Sequence, residues 1–391
     1  SVTIQGNYAN TTSNFGGGGV YVGGKFDMAS GSISGNQANN GGGVMATATG
    51  EAEFTMTGGE IAGNSAAKGS GVYVGTCTFT MSGDARVNAN NDVYLESSQK
   101  ITIGGAFSGS DIVATITPTN YNTALENPVL DGDSELVESE CGRFAVIPND
   151  GKSWRVGSDG KLQELIGTKA VPDAVGDIVF TDGSAVPYSA DLTLTQGQKN
   201  SAVAVIFDAA NKKGVALDQD LTSSKSRVTS KYIPARGLWC RNNQMTGFNN
   251  VKDACSKDDG KANTKAIYDT IDFNFGSGNY PLFEYAKGYT AGGYTDWYIP
   301  ALNEFKAIRD NKEIINAAIE VVDGVAITSD VLQYDGDKQN QRAYWTSTQS
   351  DNANYGKGYW LYYNDNTTSD YYKCGSNSNL YMRCVRQFSG N

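Results

Sequence analysis

Histidine is missing from all 391 residues of the chain. Its absence removes Ser–His–Asp and Cys–His catalysis and the commonest zinc ligand. Cysteine is sparse: Cys77, Cys141, Cys240, Cys255, Cys374 and Cys384 include no CxxC pair, which argues against a structural zinc site. Cys240/Cys255 and Cys374/Cys384 can form disulfides if the protein is exported, and buried free thiols account for them equally well. Cationic charge is in deficit. The formal net charge is −11 and the isoelectric point about 4.6, so neither a nucleic-acid backbone nor an anionic membrane is an expected partner. No apolar run reaches the roughly eighteen residues of a membrane-spanning helix, so no direct membrane insertion is expected from this stretch. No signal peptide is recognisable, and the sequence opens at Ser1 inside a repeat, which reads as a mature or trimmed fragment. Proline is scarce (8) while glycine is abundant (47), a balance suited to tight turns between short strands. The length predicts two or more domains.

What is present in excess lies near the C-terminus. Of the 32 residues from Ser350 to Tyr381, 23 are Tyr, Asn, Ser, Asp or Gly, and only Ala353, Leu361 and Leu380 are aliphatic. That mixture cannot build a core. Tyr and Trp offer large contact area at low rotamer cost, and Ser, Gly and Asn offer adaptable hydrogen bonds, which is the composition of a recognition surface. A disordered tail is the alternative, but such tails are poor in aromatics.

The first 95 residues repeat. Segments from Gly19 to Asn36, Gly43 to Asn64 and Gly71 to Asn90 align, with Gly19, Gly43 and Gly71 in step and Met28, Met56 and Met81 in step. TIQGN at Thr3–Asn7 reads as the tail of an earlier copy. Within a copy, apolar residues alternate (Val20 and Val22; Phe26 and Met28; then Ile33), so each copy predicts three short strands divided by Gly or Asn turns. This is the pattern of one coil of a parallel β-helix, a solenoid; a β-propeller needs four strands and about 40 residues per blade. Phe26, Phe54 and Phe79, and the three methionines, are expected to stack in columns, and the turn asparagines to adopt the left-handed conformation or to ladder. The repeat resembles the Gly-rich β-helix repeats of bacterial surface adhesins. Residues 96–165 are expected to cap it, with Asp131–Glu140 a solvated loop and Asp159-Gly160 a hairpin turn.

From Ile166 the repeat is gone and strands alternate with helical segments. Val175-GDIVFTDGS reads as strand and turn, and Ala202-VAVIF as a buried strand. Helices are expected over Thr264–Ile271, over Pro300–Ile308 with Glu304 near the positive end of the dipole, and over Glu313–Val322. Four motifs occur in order: GKANTKAI (Gly260–Ile267), GGYTDWYIPALNEF (Gly292–Phe305), YWTST (Tyr344–Thr348) and RCVR (Arg383–Arg386). Together they resemble the C-type-lectin-like domain of the formylglycine-generating-enzyme type, and more narrowly the bacterial surface modules of that group. The resemblance covers about 225 residues. It implies an α+β fold in which two helices pack on a small twisted antiparallel sheet whose last strands carry an irregular ligand-binding segment. The Tyr/Asn/Ser-rich segment before the C-terminus extends the resemblance to the variable proteins of diversity-generating retroelements.

The expected fold class is therefore all-β plus α+β: a parallel β-helix with its cap over residues 1–165, then a C-type-lectin-like domain over 166–391. Trp297, Pro300 and Trp345 read as core and turn residues. Asp296 and Glu304 read as cap and dipole partners, because no nucleophile or metal ligand accompanies them. Cys374 and Cys384 are the only counterparts to the reactive cysteines of the formylglycine-generating enzymes, and Cys384 sits inside a strand motif. Along Tyr359–Asn364 the strand period puts Leu361 on the core side and turns Trp360, Tyr362 and Asn364 outward. The expected ligand-binding residues are Asp351, Asn352, Asn354 and Tyr355; Trp360, Tyr362 and Asn364; Asp365, Asn366, Asp370, Tyr371 and Tyr372; and Ser376, Asn377 and Asn379. The chain is expected to be a non-catalytic bacterial cell-surface binding protein, with the β-helix as stalk, that meets a protein or glycan ligand on another cell or host surface. Its expected place is extracellular. No cofactor is expected; calcium stays open, since Asn364–Asn366 is rich in oxygen ligands but matches no known cage. The rivals are an oxidase-type relative of the formylglycine-generating enzymes and a carbohydrate-active β-helix enzyme.

Overall fold

The structure, a computed structural model, describes residues 2–9, 16–48, 50–88, 90–218, 239–240, 254–270, 273, 279–327, 343–349, 357–362, 368–372 and 382–388, with the backbone alone at 123, 343, 357–362 and 368–372. The chain divides into two compact units that meet at Leu165 and Ile166.

In the first unit, copies of the repeat lie in register and build three parallel sheets. One contains β1 (Thr3–Gln5), β4 (Ser32–Ser34), β7 (Glu60–Ala62) and β10 (Arg86–Val87) in that order. Another runs β2 (Val20–Val22), β5 (Val44–Ala46), β8 (Val72–Val74), β11 (Asp92–Leu95), β13 (Ala114–Pro118) and β15 (Phe144–Val146). The third runs β3 (Lys25–Met28), β6 (Glu53–Met56), β9 (Thr78–Gly83), β12 (Ile101–Phe107) and β14 (Leu130–Gly132).

Register is fixed by identical residues from successive copies. Phe26 pairs with Phe54 and Phe54 with Phe79, their rings stacked nearly parallel with centroids 5.2 and 4.7 Å apart. Met28, Met56 and Met81 form a second column two residues along the same strands. At the turns the left-handed backbone falls on glycine (Gly35, φ +65°; Gly63, φ +64°), which adopts it at no steric cost. The asparagines beside them ladder instead. Asn7 Nδ2 donates to Asn36 Oδ1 (2.9 Å), Asn36 Nδ2 to Asn64 Oδ1 (3.0 Å) and Asn64 Nδ2 to Asn91 Oδ1 (3.0 Å). The last rung is Asn91, one residue beyond the Asn90 of the sequence alignment. Each rung hydrogen-bonds a polar group that burial would otherwise leave unpaired, and this explains asparagines only 1% and 6% exposed at Asn36 and Asn64.

The fold class expected for this region is corrected. The region is not an all-β solenoid with a separate cap. It is a set of parallel sheets with helices set among the strands, an α/β-like arrangement. The sheets run on past residue 95 through β12–β15, and α1 (Tyr121–Glu126) and α2 (Ser134–Glu140) lie between the later strands. The acidic stretch expected to be a loop is α2. Asp133 caps it by accepting from the Glu135 and Leu136 amides, and Val137 turns into the core. The physical reason is that a cap and one apolar residue on the right face suffice for a two-turn helix once a sheet is there to pack on. Strands β16 (Trp154–Val156) and β17 (Leu162–Glu164) form a separate antiparallel hairpin.

The second unit is built on an antiparallel five-stranded sheet. β18 (Ile178–Phe180) lies between β19 (Ala185–Val186) and β20 (Ala202–Asp208), followed by β21 (Lys213–Ala216) and, from the far end of the chain, β25 (Val385–Gln387). Both faces of β20 are covered. Ala204 and Ile206 pack towards α4 (Gly260–Tyr268) and α5 (Pro281–Gly288); Val205 and Phe207 pack towards α6 (Leu302–Asp310) and α7 (Lys312–Val321). Double-sided cover explains why this strand reads as an unbroken apolar run. α3 (Gln196–Ser201) leads into it through a Thr195/Gln198 capping box. A three-stranded antiparallel sheet follows, β22 (Ala343–Gln349), β23 (Lys357–Tyr362) and β24 (Thr368–Tyr372). Helix limits shift from the expected ones: α4 begins at Gly260, not Thr264, because Asp259 accepts from the Ala262 amide and starts the helix a turn earlier.

Candidate functional site

The segment with a recognition composition leaves the end of β22 and returns at Met382, and both anchors are immobilised. Tyr344 through Thr348 are fully buried, an unusual state for three consecutive hydroxyl residues. Every hydroxyl-bearing position has work to do. Thr348 Oγ1 accepts from the Leu302 amide (2.9 Å) and donates to the Ser256 carbonyl (2.8 Å). Asn263 Nδ2 reaches Ser347 Oγ (3.3 Å), and the Ser347 amide donates to the Pro300 carbonyl (2.9 Å). Trp239 Nε1 donates to the Thr346 carbonyl (3.1 Å). β22 is thus tied to α4, to the start of α6 and to the 254–256 segment at once. Its side chains divide between two cores: Tyr344 stacks on Phe305 (5.0 Å), and Trp345 joins the cluster of Trp239, Phe283 and Met382.

Antiparallel pairing carries this rigidity outward. Trp345 is opposite Trp360 and Tyr344 opposite Leu361; in turn, Trp360 is opposite Ser369 and Gly358 opposite Tyr371. Of the residues expected to bind ligand, Trp360 and Tyr362 are thereby placed on β23, and Asp370, Tyr371 and Tyr372 on β24. The side-chain orientation expected for them lies outside the described residues. So do Asp351, Asn352, Asn354, Tyr355, Asn364, Asp365, Asn366, Ser376, Asn377 and Asn379 altogether. The pairing brings the five strand positions onto one three-stranded sheet.

Glu304 is the polar centre of the support. Its Oε1 accepts from Tyr298 Oη (3.0 Å) and from the Lys213 ammonium; its Oε2 accepts from the Ala301 amide (2.8 Å) and the Gly260 amide (3.2 Å). The carboxylate therefore joins the starts of α4 and α6 to β21. No room exists for a side chain at Gly260, where a Cβ would sit 2.5 Å from Glu304 Oε2 and from the Ile299 carbonyl. Asp296, expected as a cap, instead pairs with Arg386, whose guanidinium lies 3.8 Å from the Tyr294 ring centre. The fully buried Arg383 donates to the Ala216 carbonyl (3.0 Å) and to the Val325 carbonyl. In this way the DW…P…E and RCVR motifs are joined physically, which sequence spacing alone does not reveal.

The chemistry available around these motifs is that of a scaffold. Burial pushes the Cys384 thiol well above its ordinary range, Asp218 adds to the rise and Arg383 opposes it only in part. Such a thiol is the opposite of an activated nucleophile. Cys77, Cys141 and Cys384 are free thiols, while Cys374 lies outside the described residues. Among the described residues no cluster of three or more Cys, Asp or Glu is placed to hold a metal ion, and Asn364–Asn366 is not among them. A cleft of about 300 Å³ opens between Lys213, Tyr298, Asp258, Asp259 and Lys261. Three of its charged groups are already engaged: Asp259 caps α4, Asp258 accepts from Asn303 (2.7 Å) and Lys213 pairs with Glu304. No helix among the described residues is long and apolar enough to cross a membrane.

Comparison with known proteins adds nothing to this geometry: no family model, no curated protein and no solved structure matches the chain.

Two outcomes follow. Glu304→Ala frees two helix-start amides and strands Lys213, so it should destabilise the second unit by about 3 kcal/mol in urea unfolding, with Lys213→Met costing less. A loss under about 1 kcal/mol would remove Glu304 from its central place. Burial also raises the hydroxyls of Tyr268, Tyr285, Tyr289 and Tyr298 above their usual value near 10. Above pH 10 the unfolded chain sheds these protons and the folded chain keeps them. Stability present below pH 10 should therefore fall by roughly 1.4 kcal/mol per pH unit for each tyrosine. The last fraction of tyrosinate absorbance, that of these four, should appear together with the loss of circular dichroism in one cooperative step; ionisation of all 22 tyrosines while the chain stays folded would contradict it.

Proposed function

We propose that the second unit is a non-catalytic binding module of the C-type-lectin-like, formylglycine-generating-enzyme type. Its Ser350–Tyr381 segment meets a protein or glycan ligand on another cell or host surface. The observation that carries this reading is the contrast at the segment's two ends. A stretch too polar and aromatic to form a core lies in the sequence between two buried, hydrogen-bonded anchors, Tyr344–Gln349 and Met382–Val385. A fixed base lets a Tyr/Asn-rich surface bind without first being ordered, which preserves affinity. The four ordered motifs support the family resemblance, and the roles found for them are structural. Extracellular display by a bacterium is part of the same proposal. A second reading, favoured by the composition of the segment, is that it is diversified as in retroelement variable proteins.

The binding reading requires Trp360 to face solvent. Trp154, Trp239, Trp297 and Trp345 are each at most 6% exposed, so Trp360 should be the one tryptophan that acrylamide quenches readily. That accessible component should vanish in Trp360→Phe; if the wild-type chain shows none, the proposed surface is lost. Diversification is tested separately, by sequencing the same locus from sibling isolates. Substitutions should concentrate in residues 350–381, whereas uniform drift along the chain would remove that reading.

A further inference from the structure

The cleft of about 300 Å³ in the second unit stands at the lower end of ligand pockets, which run from roughly 300 to 1,000 Å³. Three places in the chain line it. Asn211 and Lys213 come from the turn into β21 and its first residue, Gln387 ends β25 opposite Lys213, and residues 258–262 lead into α4. Tyr298, only 3% exposed, lines it from the interior. The α4 wall is fixed in advance. Ser256 Oγ accepts from the Asp258 and Asp259 amides (3.2 and 2.9 Å), Asn303 ties Asp258 to α6, and Glu304 holds the Gly260 amide.

Much of the polar capacity in this cleft is left over. Asp258 and Asp259 each accept through Oδ1 and keep Oδ2 unused. The Lys213 ammonium donates to Glu304 and retains two further N–H groups. Lys261 follows Asp258 by three residues and Asp259 by two, yet its ammonium pairs with neither, and its amide reaches no acceptor among the described residues. Two cations and two anions therefore face one space without cancelling one another. A ligand of a single sign would meet repulsion: an anion drawn to the lysines faces two carboxylates, and a cation drawn to the carboxylates faces two ammonium groups. A ligand that carries both charges a few bonds apart satisfies both sets.

We propose that this cleft binds a small free α-amino acid. The ligand carboxylate meets Lys213, Lys261 and the Lys261 amide, in the first turn of α4 where the helix dipole favours negative charge. The ligand ammonium meets the spare oxygens of Asp258 and Asp259. A modest volume and a lining of charged and amide groups, with Ala262 the one aliphatic residue among those described, restrict the ligand to a short side chain. Because α4 is already tied to Ser256, Asn303 and Glu304, its wall needs no ordering on binding, which preserves affinity for a ligand of few atoms. Binding here is independent of any role for residues 350–381.

The test titrates the full chain with L-alanine and follows backbone amide resonances. Those of Lys261, Ala262 and Gln387 should shift saturably, with a dissociation constant on the order of 1 mM. N-acetyl-L-alanine and L-alaninamide, each stripped of one charge, should bind about tenfold more weakly or worse. Asp258→Asn keeps an acceptor for Asn303, and Lys261→Met keeps a good helix former. Both variants should therefore melt like the parent chain and still lose about tenfold in affinity for L-alanine. Absence of a saturable shift at about 50 mM L-alanine would overturn the proposal. So would equal binding of the three probes, unchanged affinity in the two variants, or binding of glycerol as tight as that of L-alanine, which would assign the cleft to neutral polyols.

Discussion

The second unit depends on one buried carboxylate. Glu304 accepts four hydrogen bonds from four directions, and without them two helices and a strand would each bring an unpaired polar group into the interior. A single acceptor group with two oxygens can do this because helix starts supply amides that lack partners within the helix. The arrangement orients α4 and α6 against β22, and β22 in turn receives its hydroxyl hydrogen bonds from those helix starts. Rigidity therefore passes from a polar contact deep in the unit to the base of the segment that carries the unusual composition.

The polar interior also accounts for what the motifs are for. Asp296, Glu304, Arg383, Cys384 and Arg386 are residue types that invite a catalytic interpretation. Each is engaged in holding chain segments together: Asp296 with Arg386, Glu304 with two amides, Arg383 with two carbonyls. Cys384 lies among buried tyrosines, where burial disfavours the thiolate. A chain without histidine has few ways to relay a proton, and the groups it does possess near these motifs are committed to structure. That is the physical basis for the proposal that residues 350–381 serve recognition.

The first unit follows a different logic. Its identical residues stack on one another, so the energy of each layer is set by its neighbours above and below rather than by a distant core. Phe54 has a phenylalanine on either side, and Asn64 an asparagine on either side. This was legible in the sequence as Gly, Phe, Met and Asn recurring in step. Less legible was the class of the unit. The later copies lose the repeat's residues and still add β12 to β15 to the same sheets, because backbone pairing to an existing edge asks little of side-chain identity. Helix α2 was hidden because five of its seven residues are Glu or Ser, and only Asp133 and Val137 mark its cap and its apolar buried face.

What the sequence by itself determined was local and periodic: the alternation that makes short strands, the glycines that turn them, the motif order, the change of texture at Ile166 and the aromatic, amide-rich end. What only the tertiary structure decided was which polar groups meet. Glu304 and Gly260 are 44 residues apart, Arg383 and Ala216 are 167 apart, and nothing in the spacing of either pair announces the contact. The reason is that a buried polar group is tolerated wherever a partner happens to be brought within hydrogen-bond reach. That is a property of the folded interior and not of any window along the chain.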